Sequence, residues 1–368
     1  MNFEFATAIR IVFGRGAAGL IGEEAAALGR HAFVLTGARP EPAIPLLRQL
    51  ENHHVMTTVF RVAQEPTTDL VRSAVDQALA RGCDMVIGMG GGSVIDVGKV
   101  VAALLTNGGD LMDYLEVIGG GRPLRRTAAA FIAVPTTAGT GAEVTRNAVL
   151  ESSVHRVKVS MRSHFMLPRL AVVDPELTYS MPPGLTAATG LDALTQLLEA
   201  FVSRAANPLT DAICREGLAR AARALPRAFA DGADHAARED MCLASLCGGL
   251  ALANARLGAV HGLAGPFGGA FKAPHGAVCG RLLPFVAAAN MAALRERHPG
   301  SPGLWRFTEA AGLFTDRPSA GPEDAVDWLH DLCTRLGLPP LSRYGFSIEQ
   351  APDLITNALR SSSMKGNP

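Results

Sequence analysis

One switch in periodicity constrains this chain more than any other feature. Up to about residue 181, short apolar runs alternate with stretches whose apolar residues recur at helical spacing; from residue 182 onward the strand-like runs cease. In the first part, residues 31–36 (HAFVLT), 85–89 (MVIGM) and 130–134 (AFIAV) read as strands, and residues 68–81 and 94–105 as helices. Strands alternating with helices predict a parallel sheet covered on both faces. In the second part, residues 185–204, 208–225, 236–257, 304–313 and 322–336 read as Ala- and Leu-rich helices. The expected fold is an α/β domain over residues 1–181, then an all-α helical domain over 182–368, with the active site in a cleft between them. Met181-Pro182-Pro183-Gly184 marks the boundary, because consecutive prolines stop a helix and reset the direction of the chain.

Composition agrees with two domains. Of 368 residues, 48% are hydrophobic and 18% charged, enough apolar material for two cores. The 34 basic and 34 acidic side chains balance, with no basic stripe that would grip nucleic acid or an anionic membrane. The densest basic run, residues 122–126, places three arginines around Pro123 and reads as a solvated loop. No charged-then-apolar leader opens the sequence, and no apolar stretch reaches the ~18–20 residues of a membrane span. Six cysteines without CxxC spacing read as buried, reduced thiols, so the expected location is the cytoplasm.

Two loops carry the first chemistry. Residues 88–102, GMGGGSVIDVGKVVA, follow a strand and open a helix. Gly90, Gly91 and Gly92 let backbone amides approach a pyrophosphate that a side chain would block, Ser93 adds a hydroxyl, and the helix N-terminus adds a favourable dipole. Asp96, near the helix start, is suited to receive a hydroxyl or to order the loop. This is not the GxGxxG fingerprint, and a glycine cluster alone also fits a flexible turn. Residues 135–149, PTTAGTGAEVTRNAV, follow the third strand and offer Thr136, Thr137 and Thr140 on a glycine-rich backbone. Together the loops predict that the first domain binds a dinucleotide.

GGGSxxDxxK at 90–99 followed by PTTAGTGAEVT at 135–145 resembles the iron-containing (group III) alcohol dehydrogenases. The likeness continues in order through DPELT (174–178), GLDALTQLLEAFVS (190–203), ANPLTD (206–211), ANARLGAVHGLAGPFG (253–268) and PHG (274–276). The resemblance implies NAD or NADP as cofactor, with Gly90 to Ser93 on the pyrophosphate, Thr136, Thr137 and Thr140 lining the cofactor, and Lys158 near it. It further implies a divalent metal, Fe²⁺ or Zn²⁺, and a homodimer. Relatives are expected to continue past the closing Asn367-Pro368 with one more helix.

The resemblance assigns the metal to one aspartate and three histidines, of which Asp192, His261 and His275 match. The remaining position, four residues after Asp192, holds Gln196, on the same helical face. A neutral amide oxygen binds Fe²⁺ or Zn²⁺ less well than imidazole, so affinity is expected to fall. Gly265 stands where many alcohol-oxidising relatives carry a second, proton-relaying histidine. At the end of the second strand Thr36-Gly37-Ala38-Arg39 lacks the carboxylate that favours NAD, and Arg39 is available to a 2′-phosphate.

The expected reaction is hydride transfer between a nicotinamide and an alcohol, aldehyde or ketone, with Asp192, His261 and His275 acting through a metal that polarises the substrate oxygen. Asn254, Phe267 and Phe271 are candidates for a partly apolar substrate pocket. A metal-independent oxo-acid reductase resembling maleylacetate reductases stays open, with His155, Arg156 and Lys158 as its basic cluster. So do a lyase of the dehydroquinate synthase kind and a catalytically idle cofactor-binding protein.

Overall fold

The computed structural model describes residues 2–155 and 157–368; Arg156 of the basic cluster lies outside the described residues. Internal contacts divide the chain into two compact units. One comprises Ala6–Thr137 and Ala142–Thr178; the other comprises Tyr179–Pro368, Ala138–Gly141 and a short N-terminal stretch ending at Phe5.

The first unit is α/β. Its six-stranded sheet contains β1 (Ile11–Phe13), β2 (His31–Thr36), β3 (Met56–Arg61), β4 (Met85–Gly90), β5 (Ala130–Pro135) and β8 (Leu170–Val173), in the order β1-β8-β5-β4-β2-β3. Every pair is parallel. A separate antiparallel hairpin joins β6 (Asn147–Ser152) to β7 (Val157–Arg162). The strands expected at 31–36, 85–89 and 130–134 are β2, β4 and β5, the central three, whose apolar runs are unbroken because helices cover both faces. Alternate residues feed two cores. Phe33 and Leu35 of β2 pack with Val71 and Ala74 of α3 (Thr68–Ala80) and Val97 and Val101 of α4 (Gly92–Asn107). Ala32 and Val34 face the other way, towards Ile21 and Ala25 of α1 (Ile21–Leu28) and Leu46 and Leu50 of α2 (Ile44–Asn52). A single turn, α5 (Leu111–Tyr114), precedes β5. The hairpin and the edge strands β1 and β3 are not legible in the sequence, since short or half-exposed strands leave no continuous apolar run.

The second unit is all-helical: α6 (Pro183–Val202), α7 (Pro208–Ala230), α8 (His235–Ala255), α9 (Ala259–Phe271), α10 (His275–Arg297), α11 (Pro302–Thr315), α12 (Pro322–Arg335) and α13 (Ala351–Leu359). Helix α6 is its axis and packs against α7, α8 and α10. Because α6 is buried on every side, its polar residues Asp192, Thr195, Gln196 and Glu199 lie inside the unit, and burial of such groups is costly unless each is partnered. Helix α10 is long and apolar enough to cross a membrane by length and composition alone, contrary to the expectation from the sequence. Its apolar face instead packs on α6, α9 and α12. Close approach of α10 to α6 depends on glycine. A Cβ on Gly276 would lie 1.9 Å from the Ala188 carbonyl oxygen, and one on Gly280 would lie 2.7 Å from Leu191.

Candidate functional site

In the α/β unit the chain turns from β4 into α4 through Gly90 and Gly91. A Cβ on Gly90 would meet Val94 at 2.4 Å, so no side chain fits there. No side chain caps α4 among the described residues, and a helix N-terminus of this kind suits an anion. The threonine loop closes beside it: Thr136 N–H donates to the Gly90 carbonyl at 3.0 Å, and Gly91 sits against Thr137. Strand β4 leads to β5 on one side, whereas its neighbour β2 leads to β3 on the other. The glycine loop therefore lies at the carboxyl end of a topological switch point, where open parallel sheets bind ligands.

Of the residues expected to touch the cofactor, Gly90 to Ser93, Thr136 and Thr137 come together here. Asp96 turns away: its Oδ2 accepts the Val149 N–H at 3.0 Å, tying α4 to the hairpin. Lys158 donates to Glu65 Oε2 at 2.9 Å, and His155 Nδ1 lies 3.0 Å from Ser152 Oγ, so both described members of the basic cluster are engaged. Thr140 belongs to the helical unit, where its carbonyl accepts Gln196 Nε2 at 3.4 Å.

In the helical unit, α6, α9 and α10 bring Asp192, His261 and His275 to one point. His261 Nε2 lies 3.3 Å from Asp192 Oδ1, and His275 Nε2 lies 3.8 Å from the same oxygen. The other face of His261 is held by Glu199, whose Oε2 is 2.7 Å from Nδ1 and whose Oε1 accepts the Val260 N–H at 2.6 Å. Glu199 thus caps α9 and places the Nδ1 proton, which leaves the Nε2 lone pair free. Among the described residues neither His261 Nε2 nor Asp192 Oδ1 finds a hydrogen-bond partner, although both are buried.

The whole chain has close relatives. Residues 8–175 match the family model described as iron-containing alcohol dehydrogenase, and residues 186–368 match that described as Fe-containing alcohol dehydrogenase family, C-terminal. Alcohol dehydrogenase 4 of Saccharomyces cerevisiae is 34% identical over 323 residues, covering 87% of this chain and 81% of the relative. A crystal structure of 1,3-propanediol oxidoreductase superposes with a TM-score of 0.92 at 32% identity, covering 100% of this chain and 96% of the other. Sulfoacetaldehyde reductase from Bifidobacterium kashiwanohense, solved in complex with NAD+, gives 0.88 at 30% identity, covering 100% and 95%.

The chain belongs to the iron-containing alcohol dehydrogenase family. It is therefore an oxidoreductase acting on CH–OH and carbonyl groups, in a family that uses NAD(P) and a divalent metal. The residues present fit such a metal. Two buried lone pairs, on Asp192 Oδ1 and His261 Nε2, face each other without a hydrogen bond, an arrangement that a shared cation relieves.

Two participants are not evident from the sequence. Glu199 stands seven residues after Asp192, on the same face of the helix, and that spacing is its one signal. Cys279 lies one turn after His275; its Sγ is 3.6 Å from His275 Nε2, and the ligand atoms of Asp192, His261, His275 and Cys279 all lie within 4.8 Å of one another. Burial opposes charge on both His261 and Cys279. With no cation between them, the Cys279 sulfur, helped by Asp192 and Glu199, raises the histidine well above its ordinary value, and His275, followed by His261, lowers the thiol.

In the α/β unit, the buried Lys99 and Glu143 and the half-buried Asp96 form a trio on and beside α4. Lys99 Nζ donates to Thr145 Oγ1 at 2.7 Å and the Asn147 carbonyl at 2.8 Å, and lies 3.8 Å from Asp96. Burial pushes Asp96 up to about 6 and Glu143 up to about 7, and pulls Lys99 down to about 8.

Proposed function

We propose that this chain is an NAD(P)-dependent alcohol dehydrogenase and carbonyl reductase in which Asp192, His261 and His275 would hold Fe²⁺ or Zn²⁺ to polarise the substrate oxygen. The convergence of the Asp192 Oδ1 and His261 Nε2 lone pairs, buried and unpartnered at 3.3 Å, carries this reading. Bound there, the cation supplies Lewis-acid stabilisation of charge developing on oxygen, and NAD(P) supplies the hydride chemistry. The protein's part is orientation. Glu199 fixes the His261 ring, and Gly276 lets α10 come close enough to present His275 to Asp192. Gly90 to Ser93 offer the amides of α4 to the pyrophosphate, with Thr136 and Thr137 alongside.

Both NAD and NADP are accepted in this reading. Residues 36–39 contain no carboxylate, and Arg39 is exposed after β2. The substrate is a small alcohol, aldehyde or ketone with an apolar body. Supporting this, Phe267 and Phe271, on the same helix as His261, pack together with ring centroids 4.7 Å apart, tilted to each other, and meet the Phe346 ring at 5.6 and 5.7 Å.

Elemental mass spectrometry on protein purified without chelators or a histidine tag, combined with NADH and NADPH oxidation in the presence of a simple aldehyde, tests the proposal. Near-stoichiometric iron or zinc, and turnover abolished by Asp192→Ala, are expected. A site that stays empty after incubation with Fe²⁺ or Zn²⁺, in protein that still oxidises NADH with an oxo acid, would replace it with metal-independent reduction.

A further inference from the structure

The residue one turn after Asp192 is not oriented as a ligand. Gln196 Nε2 donates to Asp192 Oδ2 at 3.2 Å and to the Thr140 carbonyl at 3.4 Å. Both neighbours are acceptors only, so the amide must present its NH₂ end to them, and an amide NH₂ has no free lone pair to give a metal. The amide oxygen turns the other way, 3.0 Å from where a Cβ on Gly248 would lie. Gln196 is therefore a donor that steadies the Asp192 carboxylate, leaving the opposite oxygen, Oδ1, directed at the histidines.

Across from it, α10 supplies a different group. Cys279 lies one helical turn after His275 and is fully buried, with its sulfur in the same cluster as the Asp192, His261 and His275 ligand atoms. The spacing suits a shared ion. Ligand atoms about 2.0–2.3 Å from one tetrahedral centre lie about 3.3–3.6 Å apart. The observed separations are 3.3 Å for His261 to Asp192, 3.6 Å for His275 to Cys279 and 3.8 Å for His275 to Asp192. The other five cysteines are buried too, but none is part of a metal-competent cluster among the described residues.

We propose that Cys279 is the fourth protein ligand, so that the metal would be held by one carboxylate, two imidazoles and one thiolate, with a fifth position left for the substrate oxygen and Gln196 as a positioning residue. This rests on the reading that the cluster binds a divalent metal. On binding, the thiol proton leaves to solvent and a sulfur–metal bond forms. A thiolate biases the site towards zinc-like ions.

Cobalt(II) distinguishes the possibilities, because thiolate ligation adds an intense near-ultraviolet charge-transfer band to the visible d–d absorption of the ion. The full-length protein, stripped with a chelator and reloaded with one equivalent of Co²⁺, is expected to show both features. In Cys279→Ser the charge-transfer band disappears while d–d absorption remains, with cobalt affinity at least about tenfold weaker. Gln196→Ala and Cys83→Ser keep the band. Visible absorption without the charge-transfer band in the unmutated protein overturns thiolate ligation and leaves the metal site standing, an outcome that does not depend on any variant folding. A band that survives in Cys279→Ser also overturns it. No cobalt absorption at all removes the metal site and this proposal together.

Discussion

In the α/β unit, the proposed cofactor cradle is built on consecutive residues, Gly90 to Ser93, at the end of one strand. In the helical unit, the candidate ligands come from residues 192, 261, 275 and 279 on three helices. The cradle needs backbone freedom and one helix N-terminus, which four residues of chain can encode. The candidate metal site needs lone pairs placed to within a few tenths of an ångström, and that precision comes from interhelical distance. The first is robust to how its surroundings pack; the second is only as good as the α6–α10 contact.

Four perturbations test this contrast, in order of decreasing size. Lys99→Met removes the cation that links α4 to the hairpin and leaves Asp96 and the Asn147 carbonyl short of a partner. It should cost about 3–5 kcal/mol by denaturant unfolding. If instead stability holds and only cofactor affinity falls, the lysine belongs to the cradle and not to its support.

The second is pH. Burial holds Glu143 at about 7 against an ordinary 4.5, so between those values the native state keeps a proton that the unfolded chain has released. Stability of the α/β unit therefore falls as pH rises through that window, by up to about 3 kcal/mol, and levels off above it. Melting temperatures of the native protein and of Glu143→Gln across the window should diverge, the variant losing the slope. Parallel curves would mean that Glu143 is ionised throughout.

Third, Gly276→Ala puts a methyl group 1.9 Å from the Ala188 carbonyl, which forces α10 off α6. A loss of about 1–3 kcal/mol is expected, together with loss of bound metal. The matching change in the cradle, Gly90→Ala, should impair NAD(P)H binding and spare metal content. Stoichiometric metal in Gly276→Ala would show that the site tolerates displacement and would undo the contrast drawn above. Last, Glu199→Gln keeps a carbonyl for the Val260 N–H but weakens the hold on His261. Metal affinity by competition with a chelator should fall about 10–100-fold, with little change in melting temperature.

What is legible in the chain follows the same line. Strands β2, β4 and β5 stand out because both faces are buried and the apolar run is continuous; β1, β3 and β8 do not, being short or half-exposed. Helices α9 and α10 give no clear helical signal, since each carries an internal proline and opens among glycines and prolines, yet they hold three of the candidate ligands. Asp192, His261 and His275 are recognisable by resemblance, whereas Glu199 looks like one more acid on a long helix. Cys279 reads as a buried thiol, which is true of its burial and silent about its neighbours.

The two fold classes, the place of the glycine loop and the family are legible along the chain. These depend on periodicity and on contiguous residues, which the chain carries in its order. Packing in three dimensions is what joins residues 138–141 to the helical unit, turns the Gln196 nitrogen to Asp192, and sets a sulfur from α10 beside the two imidazoles. Those facts are distances between residues far apart in the chain. They are set by how closely glycine lets helices approach, and by which way an amide must turn to satisfy the acceptors around it.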